Sequence, residues 1–175
     1  TCALPILSEI YLGNPNLKKA NTPIQFSAEQ IEEFLKCKNN PVYFAQKYVK
    51  IVSLDEGLVP FQPYKFQEKL IKRFHKNRFN ICKMPRQTGK STTVVSYLLH
   101  YAVFNDSVNI GILANKAATA RELLGRLQTA YENLPRWMQQ GIIAWNKGSL
   151  ELENGSKILA ASTSASAVRG KIGRA

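Results

Sequence analysis

Acidic side chains are scarce in this chain. It carries 12 Asp and Glu against 24 Lys and Arg, a formal net charge of +12 over 175 residues. Such an imbalance argues against a basic partner and favours a polyanion, of which nucleic acid is the common one. The plain alternative is that an acidic remainder belongs to a longer protein. Cysteine is also sparse: Cys2, Cys37 and Cys82 form an odd set without zinc-ligand spacing, and only 2 histidines accompany them. This excludes a disulfide framework and a zinc module, and it fits reduced thiols in the cytoplasm. Cys82 is expected to be a buried small apolar residue. No apolar run approaches the roughly 20 residues needed to cross a bilayer, and no signal-peptide pattern opens the chain. The first residue is Thr1 rather than Met, so the start reads as processed or cut. Internal repeats and long low-complexity tracts are absent. What remains is an ordinary globular composition, 45% hydrophobic and 21% charged, long enough for one domain with a core.

Three regions are expected. Residues 1–26 lack sustained periodicity, carry the turn signal Gly13-Asn14-Pro15-Asn16, and read as an N-terminal arm. Residues 27–60 read as a small helical subdomain. Ser27 with Gln30 matches a capping box, with Phe26 and Ile31 as a candidate staple, and Ile31, Phe34 and Leu35 share one helical face. Pro41 opens a second short helix bearing Val42, Phe44, Ala45 and Tyr48. Ile51 to Glu56 imitates an acidic-ended Walker B strand, but Gly57 follows at once, so a strand running into a turn is expected.

Residues 61–175 read as an α/β core. Pro63 to Phe74 predicts a helix rich in Lys69, Lys72 and Arg73, continued by Lys76 and Arg78. A solvated face and a DNA contact are equally good accounts of this basic run. Phe79-Asn80-Ile81-Cys82 reads as a strand and Val94 to Phe104 as part of a long helix. Val108 to Ala114 reads as a second strand, too apolar to be half exposed. Ala120, Leu123, Leu124, Leu127 and Tyr131 recur at helical spacing. This alternation predicts a parallel sheet flanked by helices, with right-handed crossovers. Asn154-Gly155, between two apolar runs, predicts a two-residue hairpin, and Ser162 to Ser166 a small-residue loop.

Between the first strand and its helix lies Met84-Pro85-Arg86-Gln87-Thr88-Gly89-Lys90-Ser91-Thr92-Thr93. Strand, loop and helix around Gly89-Lys90-Ser91 form the context of a phosphate-binding loop. Successive amides and the helix N-terminus would face a polyphosphate. The usual pattern begins with Gly, where Met84 stands here, so the match rests on context. An N-capped surface helix with an exposed Lys90 is the bland alternative.

From Pro41 onward the chain resembles the ATPase half of the large terminase subunit of tailed bacteriophages, nearest the contractile-tailed kind. The resembling residues are Pro41 to Ala45 with Tyr48 to Ile51; Phe61 to Gln67; Arg86 to Thr92; Gly111 to Lys116; Trp145 to Ser149; and Ala167 to Gly170. The resemblance implies a P-loop NTPase (RecA/helicase-like) fold with a helical lid over residues 27–60. It also implies ATP and Mg²⁺ as ligands and ATP-driven translocation of double-stranded DNA into procapsids. Lys90 would be the phosphate clamp and Ser91 the Mg²⁺ ligand. Gln87, Thr88, Gly89 and Thr92 would complete the phosphate cradle, with Thr92 near the α-phosphate. Arg86 would neutralise γ-phosphate charge from within the loop; a surface Arg paired with a carboxylate is the alternative. Gln62 and Gln67 would address adenine. Asn115-Lys116, Lys147 and Arg169 lie where ligand or DNA contacts would be sought.

By the same resemblance the partners would be double-stranded DNA, a portal protein, a small terminase subunit and a homo-oligomeric ring, in the host cytoplasm and without a membrane. Family members continue into a Walker B strand, a coupling motif and a nuclease domain. This sequence stops at Ala175 and reads as a fragment, for which poor hydrolysis is expected. Two rival functions remain at this point: a superfamily 2 helicase core, and a non-catalytic DNA-binding or assembly module.

Overall fold

The computed structural model describes residues 9–53 and 55–163. The first segment is a hairpin, β1 (Ile10–Tyr11) and β2 (Asn14–Lys18), closed by Leu12 and Gly13 at φ 47° and 79°. Two positive φ values in succession make a type I′ turn, whose twist suits a tight hairpin. The region expected as an arm is anchored here. Leu17 is 2% exposed within the core, and the buried Gln139 amide accepts from Lys18 N and donates to the Asn16 carbonyl.

Two short helices follow, α1 (Ala28–Asn39) and α2 (Pro41–Tyr48). Ser27 and Gln30 form the reciprocal capping box, and Asn40 caps α2 by accepting from Tyr43 N at 3.0 Å. Between these helices the Glu33 carboxylate accepts from Lys47 Nζ at 2.7 Å and from the Tyr43 and Tyr48 hydroxyls at 2.9 Å. The Lys47 hydrogen bond, aided by the two phenols, holds the Glu33 carboxyl down at about 2. Residues 50–60 form a separate antiparallel hairpin, β3 (Lys50–Ser53) with β4 (Gly57–Pro60), so Asp55 and Glu56 stand at an exposed turn as expected.

Three longer helices and one sheet complete the fold: α3 (Lys65–Lys76), α4 (Lys90–Phe104), α5 (Ala117–Glu132), and β5 (Asn109–Ala114), β6 (Ile142–Trp145), β7 (Ser149–Leu152) and β8 (Lys157–Ser162). The strand order is β5-β8-β7-β6. Among the described strands β5 and β8 pair in parallel, and β8, β7 and β6 form an antiparallel meander. The sheet is therefore mixed rather than parallel. The helix α5 lies on β5 and β8 and packs against α4. Leu124, Leu127, Ala130 and Tyr131 of α5 join Ile110, Ile112, Leu150, Leu152 and Ile158 in the core.

Four expectations are corrected. Phe79 to Cys82 pairs with no strand among the described residues; Phe79 is 83% and Ile81 101% exposed. The alternation of a strand is present there, but its amides and carbonyls lack a ladder, and a strand cannot persist without one. Cys82 is consequently exposed, while Cys37 is the buried thiol, pushed up to about 12 by desolvation. Among the described residues β5 is an edge strand, and with Leu113 47% exposed it is covered on one face only. The Asn154-Gly155 hairpin forms, but with a three-residue loop. Leu152 N donates to the Ser156 carbonyl, Gly155 N to the Leu152 carbonyl, and Gly155 takes φ 80°. This is a type I turn with a bulge glycine, since Asn154 does not adopt positive φ.

Candidate functional site

The loop Pro85–Gly89 turns into α4 through Gln87 at φ 62° and Gly89 at φ 70°, the latter capping the helix in the left-handed region. Gly89 suits this position for two reasons. Its φ is one that side-chain-bearing residues adopt at a cost, and a Cβ there would sit 2.5 Å from Gln67 Nε2. The helical ladder begins with Thr93 N donating to the Gly89 carbonyl at 3.0 Å. The amides of Lys90, Ser91 and Thr92 precede it and form the free, partially positive end of a 15-residue helix.

One carbonyl organises the loop. Pro85 O accepts from Thr88 Oγ1 at 3.1 Å and from Lys90 Nζ at 3.3 Å. The Lys90 ammonium is thereby folded back over the turn rather than extended into solvent. No carboxylate faces it: among the described residues neither Lys90 nor Arg86 belongs to an ion pair. The alternative of Arg86 as a surface Arg paired with a carboxylate thus finds no partner among the described residues.

Beside the loop lies a cleft of about 510 Å³ lined by Gln62, Tyr64, Phe66, Gln67, Gln87, Thr88, Gly89 and Thr92, with the start of α3 as one wall. Six of the residues singled out in the sequence therefore meet here. Lys90 and Ser91 instead border an adjoining apolar groove, and the exposed Arg86 lines neither. Gln67 is only 3% exposed. Its Oε1 accepts from Tyr64 N at 2.9 Å and its Nε2 donates to the Thr88 carbonyl at 3.3 Å. Both ends of that amide are thus spent on the backbone. Gln62 is exposed, and its amide has no hydrogen-bond partner among the described residues.

Sequence reasoning missed the aromatic wall. Tyr64 and Phe66 stack at 5.8 Å with an interplanar angle of 9°. Their spacing of two residues beside Gln62 was the available signal. It also missed Pro85 as the shared acceptor, which no side-chain pattern reveals. Asn115 and Lys116 are exposed at the end of β5, and Lys147 is exposed in a turn held by the Asn146 side chain, which accepts from Gly148 N and Ser149 N. Arg169 and the Ala167–Gly170 segment lie outside the described residues. Among the described residues no group of His, Cys, Asp and Glu is gathered to hold a metal, and no helix is long and apolar enough to cross a membrane.

A mixed α/β fold built around a lysine-bearing loop at a helix N-terminus matches a known class. The profile of the family described as the large terminase subunit, T4likevirus-type, N-terminal, matches residues 81–174. That interval covers more than half of the chain, and the chain belongs to this family. The crystal structure of the HK97 bacteriophage large terminase is similar to it, with a TM-score of 0.58 at 18% identity. The alignment covers 79% of this chain and 29% of that terminase, so the chain spans under a third of that relative's length.

Proposed function

We propose that this chain is the nucleotide-binding part of a phage DNA-packaging motor, a P-loop NTPase that binds ATP with Mg²⁺. The observation that carries the proposal is the turn from Pro85 to Lys90. It couples a left-handed glycine that lines the cleft, a free helix N-terminus, and, bordering the adjoining groove, an ammonium with no carboxylate partner among the described residues. The donor set fits a polyphosphate: three amides, the hydroxyls of Thr88, Ser91 and Thr92, and the cations of Lys90 and Arg86.

Bound ATP would supply a transferable phosphoryl group, and Mg²⁺, held through the Ser91 hydroxyl, would help neutralise the phosphate charge. The chain's own residues divide the remaining work. Lys90, held by the Pro85 carbonyl in the free chain, would be the cation that holds phosphate. Ser91 offers its hydroxyl to the metal. Arg86, without an ion-pair partner among the described residues, would supply positive charge for the outermost phosphate. Gln67 fixes the loop by holding Thr88, and Gln62, with a free donor and acceptor, addresses the adenine edge beside Tyr64 and Phe66. The two glutamines thus separate into one that positions and one that reads. The lid over 27–60, built of α1, α2 and the β3–β4 hairpin rather than of helices alone, belongs to the same proposal, as do the host-cytoplasmic setting and double-stranded DNA, portal protein, small terminase subunit and ring partners. Family membership favours a packaging motor over a helicase core.

Calorimetric titration of ATP with and without Mg²⁺, on the parent chain and on Ser91→Ala, tests this reading. Saturable binding strengthened by Mg²⁺ in the parent and less so in Ser91→Ala is expected. Salt-dependent DNA binding without any nucleotide response would favour a DNA-binding or assembly module instead.

A further inference from the structure

The net charge of the chain is concentrated. Between Lys65 and Lys90 the sequence holds nine basic residues (Lys65, Lys69, Lys72, Arg73, Lys76, Arg78, Lys83, Arg86, Lys90) and one acidic residue, Glu68. This segment alone contributes +8 of the chain's +12. Helix α3 arranges five of these charges. At about 100° per residue, Lys65, Lys69, Lys72, Arg73 and Lys76 fall within an arc of about 100°. Gln67 and Ile71, its buried residues, lie on the opposite side. All five basic side chains are exposed and none has an acidic partner among the described residues. Glu68, off the stripe, accepts from Gln46 instead. Five like charges on one helical face repel one another at close range. A solvated helix would ordinarily interleave acids to relieve that repulsion.

We infer that this face of α3 is a contact surface for the phosphate backbone of a nucleic-acid duplex, resting on the packaging reading above. The stripe runs for about 17 Å, eleven residues at roughly 1.5 Å rise. Its five cations are contiguous, and the bordering rings are already engaged, Phe66 stacked on Tyr64 and Phe79 under Arg78, which suits backbone charge rather than stacking of single-stranded bases. The surface extends past the helix end. Lys69 and Arg73 face Lys83 across a groove of about 320 Å³, and Lys76 and Arg78 line the next groove along. The same helix sends Gln67 into the candidate nucleotide loop from its opposite side. One rigid element therefore joins the basic surface to the phosphate turn.

The test is the salt dependence of binding a mixed-sequence 30-base-pair DNA duplex to the whole chain. Lys69→Gln/Lys72→Gln/Lys76→Gln is compared with Lys19→Gln/Lys38→Gln/Lys50→Gln, which removes equal charge from exposed positions elsewhere. Gln preserves helix propensity, and circular dichroism checks folding of both. The α3 triple should flatten the slope of log K against log salt by about 2–3, roughly 0.9 per lost phosphate contact, and the control by less than about 1. Equal effects of the two triples, an unchanged slope in the α3 triple, or no duplex binding by the parent would overturn the inference. Preference for a single-stranded oligonucleotide over the duplex would overturn it too. ATP titration of the parent is read separately: no nucleotide binding there would count against the nucleotide reading and not against this surface.

Discussion

Gln67 Nε2 donates to the Thr88 carbonyl at 3.3 Å, joining the first turn of α3 to a loop 21 residues further along the chain. The other end of the same amide accepts from Tyr64 N at 2.9 Å. A buried amide with both ends paired is stabilising chiefly because its loss leaves backbone groups unsatisfied.

Gln67→Leu should therefore cost about 1–3 kcal/mol of stability. It should also weaken ATP binding by loosening the turn, without removing any phosphate ligand. Gln62→Leu should weaken ATP while leaving stability nearly unchanged. Urea denaturation paired with nucleotide titration of both variants checks this separation. Equal stability losses in the two would contradict it.

Gly89→Ala should damage the turn in two ways, through its φ of 70° and through the 2.5 Å approach of the new Cβ to Gln67 Nε2. A loss of about 1–3 kcal/mol is expected, with ATP affinity reduced in parallel. A crystal structure or amide exchange of the loop would show Gln67 displaced from Thr88. An unshifted Gln67 would refute the mechanism.

His100 gives a pH dependence. Its ring packs among Phe44, Phe104 and Tyr97, its Nε2 lies 2.9 Å from the Cys37 carbonyl, and its Nδ1 has no partner among the described residues. Burial lowers its pKa from the ordinary 6.5 to about 4. The folded state then binds fewer protons than the unfolded state between these values, so stability falls as pH drops through that window. A decline on the order of 2 kcal/mol between pH 7 and pH 5 is expected from this residue. Urea midpoints across that range should show it, and His100→Leu should lose most of it. An equal decline in the variant would assign the effect elsewhere.

Gly141 marks a close crossing between the N-terminal segment and the sheet. A Cβ there would lie 2.5 Å from Ala20 Cα and collide with the Glu153 carboxylate, which accepts from Asn21 N at 3.1 Å and Gly141 N at 3.2 Å. Gly141→Ala should cost about 1–3 kcal/mol by overpacking backbone against backbone. Limited proteolysis should then cut first near residues 18–22. Cutting unchanged from the parent would contradict this account of the anchor.

Local signals carried far in this sequence. The Ser27 box, Pro41 and the periodicity from Ala120 to Tyr131 all specify short-range geometry, and each element forms where those residues put it. Long-range pairing was less legible. Phe79 to Cys82 has the alternation of a strand, yet alternation does not supply a neighbour. The direction of β7 and β6 depends on turns around Asn146 and Asn154 rather than on strand composition. Leu17 gave no periodic cue, because strands of two and five residues are too short to show an alternation. In the candidate site, Gly89-Lys90-Ser91 and Gln67 were visible as types and spacing. The engagement of both ends of Gln67 was not, since it depends on backbone groups three and 21 residues away.

The central claim is that the turn before α4 grips a nucleoside triphosphate through Lys90. Its most direct test is calorimetric titration of Mg²⁺-ATP into the chain and into Lys90→Ala, with circular dichroism confirming that the variant is folded. Saturable binding by the parent, weakened at least about tenfold in the variant, a difference of about 1.4 kcal/mol, is the predicted result. Equal affinity in the two proteins would contradict the account.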